Sequence, residues 1–209
     1  MRIGIVGSGK IGGTLAELWA KAGHEIAISN SRGPESLHEL VQRIGSSAHA
    51  MTVEDAARFG EVVLLAAPFR SEDALPPPSA VAGKIVIDAM NPVTETGEII
   101  DLAGMTSSEV TAERLPDARL VKAFNTMPFE TLSKEGRRSV PKERRFVVFL
   151  AGDDGRAKAR VKRLIEEIGF TPIDTGSLAY GGQRLQPGSD AFNKPLLPAE
   201  ARKILSLAG

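Results

Sequence analysis

A glycine motif, G-x-G-x-x-G, at residues 7–12 constrains the fold of this chain more than any other segment. It follows a β-branched run at residues 3–6 and opens a stretch of helical periodicity that ends before a second strand-like run at residues 25–28. In this setting the glycines permit a tight turn, close approach of a phosphate to the backbone and close helix packing. The motif therefore predicts a Rossmann-type βαβ unit that binds a dinucleotide, rather than a chance glycine-rich turn. The loop residues are Gly7, Ser8, Gly9, Lys10, Ile11 and Gly12.

The alternation of strands and helices continues along most of the chain. Further strands are predicted at residues 48–50, 62–67, 84–89, 120–124, 145–150 and 170–173, and further helices at 35–44, 53–59, 155–168 and 199–207. Continuous apolar runs are typical of strands covered on both faces. We expect an α/β fold with a Rossmann-type doubly wound, mostly parallel sheet of about eight strands. Prolines at 76–78 predict a stiff extended connection, and residues 133–143 a basic loop.

The domain organisation is expected to be simple. Residues 1–175 are predicted to form the dinucleotide-binding domain together with the edge of an acceptor site. Residues 176–209 are predicted to be a C-terminal extension, a loop plus a short helix, rather than an independent domain.

Composition excludes several function classes. The 26 basic residues balance 26 acidic ones, so neither nucleic acid nor a membrane is expected as a partner. With no cysteine, the chain has no disulfide, thiol nucleophile or thiolate metal site. The apolar start meets the glycine motif instead of a cleavage site, and no run approaches about 18 apolar residues, so a cytoplasmic location is expected.

The end of the second strand distinguishes between the two common dinucleotides. NAD sites place an acidic residue there, and a carboxylate would repel the 2′-phosphate of NADP. This chain has Asn30, Ser31 and Arg32 instead, and Arg32 lies 20 residues beyond Gly12, where the discriminating residue belongs. A guanidinium pairs well with phosphate. We therefore expect NADP(H), the alternative being that Arg32 is a solvated arginine in a polar turn.

Candidate acid–base residues are few. The histidines at 24, 38 and 49 do not follow strand ends and are expected to be surface or packing residues, and Tyr180 has no lysine at helical spacing. Lys122 either reaches a cleft or extends its stem from an apolar strand toward solvent, and the second arrangement is expected. The pair at 153–154 is expected to cap a helix rather than to bind metal. No catalytic residue and no metal ligand is assigned.

Several segments together resemble the deazaflavin (coenzyme F-420)-dependent NADP oxidoreductases and their bacterial relatives. They are residues 7–12, 30–34, 67–68, 91–92, 122–126, 151–154 and 174–178. The resemblance implies hydride transfer between NADPH and a deazaflavin or flavin-like small-molecule acceptor, usually in a homodimer. It implies that Ser8, Lys10 and Ile11 line the pyrophosphate, that Asn30, Ser31 and Arg32 hold the 2′-phosphate, that Ala67, Pro68 and Phe69 flank the path to the nicotinamide, and that Asn91, Pro92, Asn125 and Thr126 lie near that ring.

Two other functions remain open from the sequence. One is an NADP(H)-binding sensor or regulatory module, which needs few catalytic side chains. The other is a reductase of a small carbonyl or imine substrate that shares the same amino-terminal fold. Such reductases need a long helical C-terminal domain, and only 33 residues follow Gly176, so this alternative is disfavoured.

Overall fold

The computed structural model describes residues 1–71, 74–136 and 139–207. These residues form one eight-stranded sheet in the order β3-β2-β1-β4-β5-β6-β7-β8. The strands are β1 Arg2–Val6, β2 Glu25–Ser29, β3 Ala48–Ala50, β4 Val62–Leu65, β5 Ile85–Asp88, β6 Arg119–Ala123, β7 Val147–Gly152 and β8 Thr171–Asp174. All neighbouring pairs are parallel except β6 with β7. The expected α/β, doubly wound and mostly parallel fold is confirmed.

Helices connect the strands and cover both faces of the sheet. They are α1 Lys10–Lys21, α2 His38–Ile44, α3 Val53–Phe59, α4 Pro78–Val81, α5 Ser107–Arg114, α6 Phe129–Glu135, α7 Gly155–Glu167, α8 Tyr180–Gln183 and α9 Pro198–Leu207, with 3-10 turns at Pro34–Leu37 and Lys142–Arg144. In the described ranges, every helix is too short or too polar to span a bilayer.

Two apolar layers hold the sheet between them. On one face, Leu15 of α1 and Leu164 of α7 pack with Ile5 of β1. On the other face, Val81 of α4 packs with Val63 of β4. The continuous apolar strands follow from this arrangement, since both faces of each central strand are covered.

The sequence-based prediction was wrong or incomplete in three connections. Pro77 is extended, as expected from the proline run, but Pro78 already begins α4, since proline fits the first position of a helix. The predicted loop at 133–143 overlaps α6, which buries Leu132. Helix α5 was not predicted, although Thr106 and Glu109 form a capping box at its start.

The segment after β8 packs against the edge of the sheet. Leu185, Ala191 and Ala201 are buried in one apolar cluster with Phe149 of β7. The amide of Val147 also donates a hydrogen bond to the carbonyl oxygen of Leu196, at 2.9 Å. The proposed boundary at residue 175 stays a prediction.

Candidate functional site: a cleft at the switch point of the sheet

A cleft of about 630 Å³ lies at the carboxyl ends of β1, β4 and β5. Between β1 and β4 the chain reverses its direction of progress across the sheet, which leaves a crevice outside the strand ends. Of the predicted site residues, the cleft brings together Gly7, Ser8, Gly9, Ile11, Asn30, Ser31, Arg32, Ala67, Pro68, Phe69 and Asn91.

The glycine motif shapes one end of the cleft. Gly7 has φ +107°, and a Cβ there would collide with the carbonyl group of Ala66. A Cβ at Gly12 would collide with the carbonyl oxygen of Gly7, so this glycine permits the close packing of α1. Gly9 faces open space, and it caps α1 without any side chain. The first amides of α1 are therefore available to an anion in the cleft.

A polar turn follows β2 beside this loop. The amide nitrogen of Arg32 donates to Asn30 Oδ1 at 2.8 Å, and Asn30 Nδ2 donates to Ser8 Oγ at 3.1 Å and to Ser36 Oγ at 2.9 Å. The exposed Arg32 guanidinium has no ion-pair partner in the part of the chain that the structure describes. Open space at Gly9, unused helix amides and this guanidinium fit a pyrophosphate and a 2′-phosphate.

The segments after β4 and β5 form the other walls. Phe69 lines the cleft and lies with its ring centroid 5.6 Å from the Arg114 guanidinium. Arg70 and Glu95 form an ion pair at 3.2 Å between the two segments. Phe69 was expected at the site, whereas sequence reasoning missed a further set of lining residues, most of which lie at or after the carboxyl ends of neighbouring parallel strands. They are Val6, Val53, Ala66, Arg70, Ser71, Ala74, Ala89, Met90, Val93, Thr94 and Glu95.

A buried charged pair lies directly behind the β5 wall, and the expectation for Lys122 was wrong. Its side chain does not extend to solvent: Nζ donates to Asp88 Oδ2 at 3.2 Å, to Ser107 Oγ at 3.0 Å and to the carbonyl oxygen of Met90 at 2.5 Å. Burial lowers the pKa of the Lys122 ammonium, and the Asp88 carboxylate opposes that shift. Asp88 also accepts from Ser108 Oγ at 2.8 Å. The pair survives burial because each charged group is surrounded by partners.

A reciprocal pair of amides joins the ends of β5 and β6. Asn91 Nδ2 donates to the backbone oxygen of Asn125, and Asn125 Nδ2 donates to Asn91 Oδ1, both at 3.0 Å. Asn125 Nδ2 also donates to the carbonyl oxygen of Leu185 at 2.7 Å. The chain reaches this geometry through Phe124, a buried aromatic residue with φ +68°, in a region that bulky side chains rarely adopt.

Five predicted site residues do not line the cleft. The Lys10 ammonium lies 5.4 Å from the centroid of the Phe129 ring, in a neighbouring groove that also contacts Ser8, Gly9 and Arg32. The other four are buried behind the wall: Gly12 beneath the loop, and Pro92, Asn125 and Thr126 beyond Asn91. Gly12 still shapes the loop through its close approach to Gly7, and Asn125 holds the cleft-lining Asn91 by hydrogen bonds.

The remaining candidates lie away from the cleft. His24 contacts Glu167 at 2.9 Å, and His49 packs edge-on against Phe59. Asp154 caps α7, as predicted, by accepting from the amides of residues 156 and 157. Tyr180 is exposed and its hydroxyl accepts from Arg184. Two charge-rich segments, residues 137–138 and 142–145, are of a kind that usually faces solvent: residues 142–144 are exposed and Arg145 is half-buried, whereas residues 137–138 lie outside the described residues.

Comparison with known proteins connects this geometry to a class. Residues 2–92 match the family model described as NADP oxidoreductase, coenzyme F-420-dependent. A solved structure of a hypothetical protein from Sinorhizobium meliloti is 35% identical, with a TM-score of 0.81, and the match covers 94% of this chain and 95% of that one. A protein described as an F-420-dependent NADP reductase from Arthrobacter is 27% identical, with a TM-score of 0.74 and coverage of 86% and 87%.

Metalloreductase STEAP3 of Rattus norvegicus is 31% identical over 180 residues, which are 85% of this chain. The chain spans about a third of the length of the curated metalloreductases that it matches, 34% in this case. The fold and the cleft define a Rossmann-type dinucleotide-binding protein, and the named proteins that it resembles are described as NADP reductases and metalloreductases. Within that group, residues 2–92 match the coenzyme F-420-dependent NADP oxidoreductase model, in agreement with the resemblance found in the sequence.

Proposed function

We propose that the cleft binds NADP(H) in an extended form, with its phosphates at the glycine motif and its nicotinamide ring beside Met90 and Asn91. The chain then catalyses hydride transfer between NADPH and a deazaflavin, flavin or similar small-molecule acceptor at that end of the cleft. NADPH supplies the hydride, a proton from solvent completes the two-electron reduction of the acceptor, and NADP⁺ is released.

The single observation that carries this proposal is the Arg32 guanidinium, which has no ion-pair partner among the described residues and lies beside an uncapped helix N-terminus. The guanidinium matches a 2′-phosphate, and the free amides of α1 match a pyrophosphate. Asn30 supports the site by fixing the Arg32 backbone and Ser8. The guanidinium, the helix amides and the Asn30 side chain therefore favour a dinucleotide that carries a 2′-phosphate in addition to its pyrophosphate, as NADP(H) does.

The other end of the cleft suits ring orientation. Ala89 and Met90 present small and flexible apolar surface, and Asn91 presents an amide held by Asn125. Ring-to-ring hydride transfer depends on stacking and on exclusion of water, which these groups provide. The three electron-acceptor classes to be compared are deazaflavin, free flavin and, following the name of the metalloreductase relatives, a metal complex.

Arg32→Ala tests the cofactor assignment. Loss of a charged hydrogen bond to phosphate is expected to raise the KM for NADPH by roughly 10- to 100-fold while the KM for NADH changes little. Initial rates are measured with deazaflavin, FMN, FAD and ferric complexes, using either dinucleotide. Arg58→Ala is the matched control, since Arg58 is exposed and pairs with Glu54 on α3. Equal effects of Arg32→Ala on both dinucleotides would overturn the NADP(H) assignment.

The same assays separate an enzyme from a sensor. NADPH oxidation with any acceptor in the panel supports the oxidoreductase, whereas tight NADPH binding without turnover supports a regulatory module. We also propose that the chain forms a homodimer, which light scattering at micromolar concentration tests directly.

A further inference from the structure

We propose that the buried pair Asp88–Lys122 is a positioning device for the nicotinamide end of the cleft, because it fixes the Met90–Asn91 wall against which the transferring ring stacks. This inference rests on the proposed function, since it assumes that NADP(H) occupies the cleft. It assigns Lys122 a role other than contact with the substrate or the reacting atoms.

The placement of the pair is the first observation. Asp88 and Lys122 are direct cross-strand partners at the carboxyl ends of β5 and β6, and both are fully buried. Replacing a buried ion pair with apolar side chains is often neutral or stabilising. Stability of the sheet alone therefore gives little reason for two charges at this position.

The hydrogen bonds of Met90 are the second observation. Its amide donates to Asp88 Oδ1 at 2.9 Å, and its carbonyl oxygen accepts from Lys122 Nζ. Both polar groups of one backbone residue are thus held by the two members of the same ion pair. Met90 lines the cleft, so this clamp acts on the wall itself.

The clamp extends to the next residue. Asn91 is held at both ends of its amide by Asn125. Two consecutive wall residues are therefore immobilised by side chains and backbone from β5, β6 and the strained turn at Phe124. On the far side, Ser107 and Ser108 connect the ion pair to the start of α5, which keeps the ammonium and carboxylate from rotating.

Such rigidity matters for hydride transfer because the reacting atoms must be held close and aligned. A shift of about 1 Å in a positioning group can lower a rate by roughly 100-fold. Loosening the Met90 carbonyl is expected to leave phosphate binding intact at the opposite end of the cleft. The predicted signature is a mobile nicotinamide ring in a dinucleotide that still binds.

The double variant Asp88→Asn/Lys122→Met tests this. It removes both charges together, keeps an oxygen at residue 88 for the Met90 amide, and leaves the Met90 carbonyl without its donor. Lys84→Met is the matched control: Lys84 Nζ also donates to backbone carbonyls, those of Ala57 and Arg58, but at the opposite ends of the strands. Circular dichroism and thermal melting verify that each variant is folded.

The readout is the time-resolved fluorescence anisotropy of bound NADPH, which reports ring motion without any acceptor. In the double variant we expect the NADPH Kd to change by less than about threefold, while the fast depolarising component grows and the hydride-transfer rate falls roughly 10- to 100-fold. Ring anisotropy and rate equal to those of Lys84→Met would overturn the inference.

A second variant keeps the test decisive if the double variant does not fold. Ser107→Ala retains both charges and removes one acceptor of the ammonium, so a smaller change in the same direction is expected. Unchanged ring anisotropy in Ser107→Ala would then refute the positioning role. Failure of the wild-type chain to bind NADPH is a separate result, because it would overturn the proposed function itself.

Discussion

Helices α1 and α7 have similar lengths and both begin just after a strand, but their amino termini are built differently. In α7, Asp154 accepts from two helix amides and pairs with Arg119 at 2.6 Å. In α1, Gly9 provides no side chain and the first turn contains no acidic residue. The chain therefore satisfies the start of α7 with its own atoms and leaves that of α1 without a side-chain cap, open to the ligand that we propose.

The position of the two helices in the sheet agrees with this division. Strand β7 runs antiparallel to β6, so α7 begins at the edge of the sheet opposite to the cleft. An uncapped terminus there would have no phosphate to bind. A missing cap is thus informative about ligand binding when it coincides with a crevice at the strand ends.

Among these variants, Gly7→Ala is expected to have the largest effect, because it disrupts the glycine loop that leads into α1. The new Cβ would meet the carbonyl group of Ala66 in a left-handed backbone conformation, so the free energy of unfolding should fall by about 3 kcal/mol, with loss of measurable NADPH binding. Urea denaturation and fluorescence titration measure these effects. Gly155→Ala on α7 is the control, because nothing lies within 4 Å of its Cβ position, and a gain of up to about 1 kcal/mol is expected. Similar stability changes in both variants would contradict the comparison.

Gly9→Asp would give α1 the cap that α7 already has. Gly9 has φ −70° and open space around it, so the fold accommodates the side chain. The carboxylate would occupy the free amides and repel the pyrophosphate, and NADPH affinity should fall about 100-fold while stability changes by only a few tenths of a kcal/mol. Isothermal titration measures the affinity. Gly9→Asn caps without charge, so it should weaken binding less; an equal loss in both variants would exclude the electrostatic explanation.

Asp154→Asn is expected to have the smallest effect on stability, and it tests the capped amino terminus of α7. The Arg119 guanidinium and the first amides of α7 hold the pKa of Asp154 well below its usual range. The charged form therefore stabilises the fold above about pH 4, the value of a free aspartate, and this contribution disappears as falling pH protonates the carboxyl. Asparagine still caps the helix but loses the ion pair.

The expected result is a slightly lower Tm for Asp154→Asn than for the wild-type chain at pH 7. The difference in Tm between the two proteins should shrink between about pH 4 and pH 2. Thermal melts across this range measure the difference. NADPH binding should not change, because α7 begins at the other edge of the sheet. A constant Tm difference down to pH 2 would show that the charge of Asp154 is not what stabilises the cap.

The sequence predicted those parts of the molecule that depend only on residues close together along the chain. The glycine motif and the apolar strands identify the doubly wound, mostly parallel fold and one end of the cleft, because their physical requirements are local. The Asp154 cap was predicted for the same reason, since a carboxylate directly before a helix has an obvious use. Even α5 had a readable signal in its capping box.

At the other end of the cleft, the family resemblance placed Asn91 correctly, but the hydrogen bonds that hold this wall could not be predicted from neighbouring residues. The position of Lys122 depends on Asp88, 34 residues earlier, and on the register that pairs β5 with β6. A lysine in an apolar strand looks the same in sequence whether it reaches solvent or a buried carboxylate. Asn91 and Asn125 likewise acquire their roles only when two strand ends meet.

The single tryptophan lies between α1, α7 and the turn that follows β6. Trp19 belongs to α1, donates from its indole nitrogen to the Leu164 carbonyl oxygen, and meets the Phe124 ring edge-on with centroids 5.8 Å apart. Phe124 is the turn that leads into Asn125. Trp19 is therefore an intrinsic fluorescent probe of the turn that follows β6. Stopped-flow measurement of its emission can time any displacement of this turn without an attached dye.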